Sequence, residues 1–308
     1  MKIDIVTGFL GAGKTTFISK YVKYLSVKDE KILIIENEFG MAGIDGALLR
    51  AEELSVVEIA GGCVCCTQKA KLIEYICEAS RQNFDRVIIE PSGIYNLDTF
   101  FSLFEHEYIN EHCTLNGIIT IVKPDFMKFS SMPQYEHIFL SHFLSTGAIL
   151  VSDTQSYSEE EIDKVLLQFT EFTMARNDKF DLSKINVYTK NWADITDEDL
   201  ETLSSIGQTN TEHELVNECH INIVENHFFL ARFSNYDNML AMIDYLLNNQ
   251  DILRIKGFAS VDGELYSINY THNCKEIKLG KYKHPILNVL GINLDAPAIN
   301  AKVKELES

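Results

Sequence analysis

Through roughly the first two hundred residues, short runs of Val, Ile and Leu alternate with longer stretches whose apolar positions recur every three or four residues. Strands covered on both faces read as unbroken apolar runs, and the helices covering them read as amphipathic periods. The runs at 3–7, 31–35, 56–59, 86–90, 117–122, 148–152 and 184–188 are predicted strands, and 15–25, 69–81 and 158–173 are the clearest predicted helices. Ser158, followed three residues later by Glu161, has the form of a capping box. This βαβ rhythm predicts an α/β domain built on a mostly parallel sheet.

From 204 to 217 the chain turns polar, through Gly207-Gln208-Thr209-Asn210-Thr211, and a linker is expected there. Beyond it the pattern predicts a strand at 227–233 and a helix at 238–247. Shorter strands follow around 253–261, 265–270, 276–279 and 287–292, and a helix after Asp295. The expected domains are therefore 1–207, and a smaller α+β domain with mostly antiparallel pairing at 220–308.

Composition narrows the partners. A formal charge of −18 argues against nucleic acid and anionic lipid as general partners. No apolar stretch approaches the roughly 18 residues of a membrane span. Met1-Lys2-Ile3-Asp4-Ile5-Val6 already reads as a strand, so no leader peptide is expected. Seven cysteines, with Cys63, Cys65 and Cys66 in one short block, suit a reducing compartment, so the cytoplasm is the expected location.

Gly8-Phe9-Leu10-Gly11-Ala12-Gly13-Lys14-Thr15 matches the phosphate-loop pattern in full and lies between a predicted strand and a predicted helix. Glycines Gly8, Gly11 and Gly13, with Ala12, let backbone N–H groups turn toward phosphate oxygens. Lys14 neutralises the β and γ phosphates, and Thr15 offers a hydroxyl to Mg²⁺ at the positive end of the helix, with Thr16 next to it. A second acidic element is expected at the end of a neighbouring strand. In Val87-Ile88-Ile89-Glu90-Pro91-Ser92-Gly93, Glu90 is placed to reach Mg²⁺ or its water, and Gly93 to offer an N–H to the γ-phosphate.

Gly61-Gly62-Cys63-Val64-Cys65-Cys66 sets three soft ligands side by side, suited to Zn²⁺, Cu(I) or Co²⁺ if the backbone turns sharply. The same block also reads as buried free thiols, since C-x-C-C is not a usual structural zinc spacing. His106, His112 and Cys113 are candidates for a fourth ligand.

These motifs, with Glu36-Asn37-Glu38-Phe39-Gly40, Arg254-Ile255-Lys256-Gly257-Phe258 and Leu290-Gly291-Ile292-Asn293-Leu294, resemble the CobW-like GTPases over nearly the whole chain. The resemblance implies a metal chaperone or insertase in which GTP binding and hydrolysis switch a metal-loaded conformation and pass the ion to a client metalloprotein. It implies metal at Cys63, Cys65 and Cys66, and a nucleotide-sensing segment containing Glu36, Glu38 and Asp45.

One departure stands out. Where the family selects guanine with an Asn/Thr-Lys-x-Asp element, this chain has Ser152-Asp153-Thr154-Gln155, and the Gln155 amide lacks a carboxylate fork. The nucleotide is therefore GTP with ATP still open. A P-loop ATPase or small-molecule kinase with structural or redox cysteines is the competing enzyme, and a nucleotide-regulated scaffold is the non-enzymatic alternative.

Overall fold

A computed structural model describes residues 1–37, 56–58, 69–93, 97–130, 133–178, 180–206, 224–249, 251–271, 274–280, 285–292 and 294–307. The chain divides into two compact units, the first reaching Asn217 and the second running from Glu218 to Ser308.

The first unit is built on strands β1 (Lys2–Gly8), β2 (Ile32–Asn37), β3 (Val56–Glu58), β4 (Arg86–Pro91), β5 (Thr114–Val122), β6 (Ala148–Val151) and β7 (Asn186–Tyr188). They form one sheet in the order β3-β2-β4-β1-β5-β6-β7, and every neighbouring pair is parallel. β1 therefore sits where the chain order reverses, with β4 on one side and β5 on the other. In open α/β sheets the crevice at the carboxyl ends of such strands is where ligands bind.

Helix α1 (Lys14–Val27) packs Phe17, Ile18, Tyr21, Val22 and Leu25 into a core shared with Val6, Ile34, Ile88, Ile119 and Leu150. Each of these aliphatic or aromatic side chains contributes about 1.5–3 kcal/mol by burial. Helix α2 (Lys69–Arg81) occupies the predicted span. Helix α3 (Pro133–Ser145) has no predicted counterpart, and it buries Ile138, Phe139 and Phe143. Helix α4 (Glu159–Met174) starts from the Ser158–Glu161 capping box. Helix α5 (Asp197–Leu203) starts from a second box, between Thr196 and Asp199.

The amino-terminal ends of the strands are tied by Arg86, which is fully buried. Its guanidinium donates to Asp4 at 2.5 Å and to Glu30 at 2.6 Å, and also to the Ser204 carbonyl at 3.3 Å. Tyr21 and Asn116 donate to the same Asp4 carboxylate at 2.9 and 2.6 Å. Ser204 is thus packed into the first unit.

The second unit contains β8 (Val224–Leu230), β9 (Arg232–Phe233), β10 (Asp251–Val261), β11 (Glu264–Thr271), β12 (Cys274–Gly280) and β13 (Ile286–Ile292). The order β12-β11-β10-β13-β8 is antiparallel throughout, and β9 pairs in parallel with β10. Helices α6 (Tyr236–Asn249) and α7 (Ala296–Leu306) supply Met239, Met242, Ile243, Ile299 and Val303 to a core with Ile255, Ile268, Leu287 and Val289. The strand predicted at 227–233 is split at Ala231. Its N–H donates to the Pro285 carbonyl, and its own carbonyl accepts from the Ser260 N–H, which carries the chain from one strand partner to another.

Candidate nucleotide and metal site

β1 ends at Gly8, whose φ of 145° and position allow no side chain: a Cβ there would lie 2.3 Å from the Ile121 carbonyl oxygen on β5. The following loop folds back on itself through an Ala12 N–H bond to the Phe9 carbonyl at 3.1 Å. It enters α1 at Gly13, a left-handed N-cap residue that supplies no side-chain cap, and the first turn of α1 has no acidic residue. The first amides of α1 and the positive end of its dipole are thereby kept for an anion.

Lys14 is buried, with Nζ donating to the Gly8 carbonyl at 3.1 Å and lying 4.0 Å from a Glu90 carboxylate oxygen. Thr15 Oγ1 donates to the two Glu90 oxygens at 3.2 and 3.1 Å. A hydroxyl held on a carboxylate, beside a cation placed for phosphate, is a hard-oxygen donor set that fits Mg²⁺. Gly93 closes the arrangement: a Cβ on it would lie 2.5 Å from the Leu10 nitrogen, so the turn after β4 presses directly on the loop. Thr16 is exposed in the first turn of α1.

Glu36 is 3% exposed at the end of β2, and its register partner on β4 is Glu90, itself 8% exposed. Neighbouring strands run about 4.8 Å apart, so the two glutamates stand side by side at the carboxyl edge of the sheet.

On the other side of the loop lies a cavity of about 280 Å³, walled by the loop backbone and by Lys123, Ser152, Asp153, Gln155, Asn191 and Trp192. Ser152, Asp153 and Gln155 were expected here. Lys123, Asn191 and Trp192 were not, although each follows the end of β5 or β7, where a parallel sheet places ligand contacts. The loop that bears Asn191 and Trp192 is held by Lys20, whose Nζ donates to the Ile195 carbonyl at 2.8 Å and also to that of Trp192.

Gly8, Gly11, Ala12, Gly13, Lys14, Thr15, Glu90 and Gly93 thus converge at one end of the first unit's sheet, with Glu36 next to them. Cys63, Cys65, Cys66, Glu38 and Asp45 lie outside the described residues. Among the described residues no group of three metal-ligating side chains occurs.

The three candidates for a fourth ligand sit elsewhere. Cys113 directly precedes β5, at the end of the sheet opposite Glu90, and the exposed His112 ring stacks on Tyr108 at 4.2 Å. Burial pushes the thiols of Cys113 and Cys77 above their usual range, the reverse of what a thiolate ligand needs. His106 lies before the short helix Glu107–His112, at the same end. Among the described residues no helix is long and apolar enough to cross a membrane.

Residues 2–195 match the family model of the CobW/HypB/UreG nucleotide-binding domain. A Pseudomonas aeruginosa protein named zinc chaperone CobW is 36% identical over 133 residues, which are 40% of this chain and 35% of that protein. A Sinorhizobium protein of the same name is 25% identical over 293 residues, 84% of this chain and 81% of that one. Among solved structures, the Zn(II)-bound YjiA GTPase from E. coli aligns with 100% of this chain and 99% of its own, at 19% identity and a TM-score of 0.45.

Proposed function

The chain belongs to the CobW/HypB/UreG family of P-loop GTPases, and from that premise we propose that it is a GTP-hydrolysing metal chaperone or insertase. Its cargo is a transition metal, Zn²⁺ or Co²⁺, taken up at Cys63, Cys65 and Cys66 with Glu36 and delivered to a client metalloprotein in the cytoplasm. The observation that carries this reading is the register of Glu36 with Glu90. One glutamate accepts from the Thr15 hydroxyl, a pair that would hold Mg²⁺, and the other lies near the end of the strand from which the chain proceeds toward the cysteine block. Any change in the charge or position of Glu90 is felt at Glu36.

In this reading the loop amides and Lys14 hold the triphosphate, while Thr15 and Glu90 hold Mg²⁺, which when bound neutralises charge on the phosphate oxygens. Gly93, pressed on the loop, senses the γ-phosphate and relays its loss through β4. The residues after Gly93 are Ile94, Tyr95 and Asn96, with no glutamine to orient water. Intrinsic hydrolysis is accordingly slow and is accelerated by the client. The residue ranges 1–207 and 220–308 are the switch domain and its C-terminal partner.

Coupling is tested by reciprocal titration. Metal affinity is measured in the nucleotide-free, GDP and non-hydrolysable GTP forms, and nucleotide affinity with and without Zn²⁺. The expected factor is about five- to 150-fold, the same in both directions because linkage requires it. Cys65→Ser lowers metal affinity and abolishes the metal effect on nucleotide, leaving metal-free nucleotide binding unchanged. Equal metal affinity in all three forms would mean two independent sites and would end the chaperone reading.

A further inference from the structure

The cavity beside the phosphate loop has a definite hydrogen-bonding polarity. Asp153, in the left-handed conformation at φ 60°, accepts from Gln155 Nε2 at 2.9 Å and from Ser156 Oγ at 3.1 Å, and lies 3.6 Å from Lys123 Nζ. A carboxylate only accepts, so it fixes the amide nitrogen of Gln155 toward itself and leaves Oε1 on the other side. Asn191 Nδ2 lies 3.4 Å from that oxygen, and Asn191 Oδ1 accepts from the Ala193 N–H at 2.9 Å, which fixes the second amide as well. Two further groups in the wall, Ser152 Oγ and Trp192 Nε1, are buried with no partner among the described residues. Such groups cost free energy unless a ligand completes them.

Lys123 Nζ and the Asp153 carboxylate face each other and are set against one another, so the remaining capacity is mostly donors: Trp192 N–H and one N–H each from Asn191 and Gln155. One lone pair on Gln155 and the Ser152 hydroxyl are the acceptors. Adenine would bring its 6-amino donor to this donor-rich wall. Guanine and hypoxanthine bring O6 and N7, both acceptors, and an N1–H that the Gln155 oxygen can take. The guanine 2-amino group needs a second acceptor beside the first, and the far end of an amide is a donor.

We propose that this cavity recognises a 6-oxopurine through O6, N7 and N1–H and leaves the 2-amino group unread, so that inosine and guanosine triphosphates are equivalent ligands. This rests on the nucleotide reading above and adds to it what the base must carry.

The test is a competition titration of the full chain with the Mg²⁺ complexes of GTP, ITP and ATP, repeated with Gln155→Glu, which keeps the length of the side chain and supplies a carboxylate. GTP and ITP are expected to bind within about threefold of each other, and ATP about tenfold or more weaker. Gln155→Glu is expected to favour GTP over ITP by about tenfold, since a carboxylate accepts from both N1–H and the 2-amino group. In the unsubstituted chain, a preference for GTP over ITP above about tenfold, or ATP binding as well as GTP, overturns the inference and leaves the nucleotide site standing. Failure of all three triphosphates to bind overturns both. The unsubstituted series decides the matter even if the variant fails to fold.

Discussion

At the amino-terminal end of the first unit's sheet, Arg86 meets Asp4, Glu30 and the Ser204 carbonyl, and Tyr21 and Asn116 fill the rest of the Asp4 carboxylate. At the carboxyl end, Lys14 donates to the Gly8 carbonyl and lies 4.0 Å from Glu90, while among the described residues Ser152 Oγ and Trp192 Nε1 have no partner. Both ends bury charge, but the first is saturated by protein atoms and the second presents donors to a space. A buried charge with every bond made holds elements together, whereas unmet donors around a cavity hold a ligand. The position of a charged group along a parallel strand therefore separates a structural role from a binding one.

The comparison breaks most sharply when one cation is removed from each end. Arg86→Ala leaves Asp4 and Glu30 without their cation and is expected to lower stability by about 3–5 kcal/mol. Denaturant unfolding measures this, and nucleotide affinity per folded molecule should be unchanged. Lys14→Ala is expected to do the converse, lowering triphosphate affinity by about a hundredfold or more through lost charge-assisted bonds, with the unfolding midpoint held. If Arg86→Ala weakened nucleotide binding as much as Lys14→Ala, the two ends would not be functionally distinct. Next in size comes Gly93→Ala. Its Cβ would lie 2.5 Å from the Leu10 nitrogen, and the resulting displacement of the loop is expected to weaken triphosphate binding by about tenfold. Unaltered affinity in a folded Gly93→Ala protein would separate the turn after β4 from the phosphate site.

How much of this was readable beforehand depended on which signal each element carried. β1, α1 and the phosphate loop combine an apolar run, glycines at fixed spacing and an amphipathic period, so the site's central part was legible. The Ser158 box placed the start of α4. Helix α3 also carried a signal: Tyr135, Ile138, Phe139, His142 and Phe143, all buried, recur at the spacing of one helix face, but His142 and the buried Ser141 and Ser145 dilute the apolar stripe. Helix α5 had an available signal in Thr196 and Asp199, passed over because the chain around it is polar. The cavity's third wall was hidden for a different reason. Asn191 and Trp192 reach it only through strand order, and sequence spacing does not state that β7 lies two strands from β5. The Asp153–Gln155 substitution was visible, but its effect on hydrogen-bond polarity required knowing that Asp153 faces Lys123 and that Asn191 faces Gln155.

The smallest expected effect concerns the support of that third wall. Asp199 accepts from Lys190 Nζ at 2.8 and 2.9 Å and from the Thr196 N–H at 2.9 Å, tying the start of α5 to the loop that carries Asn191 and Trp192. The Lys190 hydrogen bond, followed by the backbone bond at Thr196, holds the Asp199 carboxyl below the usual carboxylate range. For a depressed carboxylate, the stabilisation is fully present above the unfolded value of about 3.9 and is lost as pH falls through the lower folded value. Asp199→Asn is therefore expected to melt a little earlier than the unsubstituted chain, by a constant margin between about pH 5 and 8. The two melting curves should converge once pH has fallen through the depressed folded value, where the aspartate is protonated and both chains carry a neutral side chain at that position. Lys190 is half exposed, so solvent screens the pair and the margin is small, and the pH at which it closes is the informative quantity. A margin that persisted to low pH would assign the effect to packing of α5 instead of to the charge that anchors the wall.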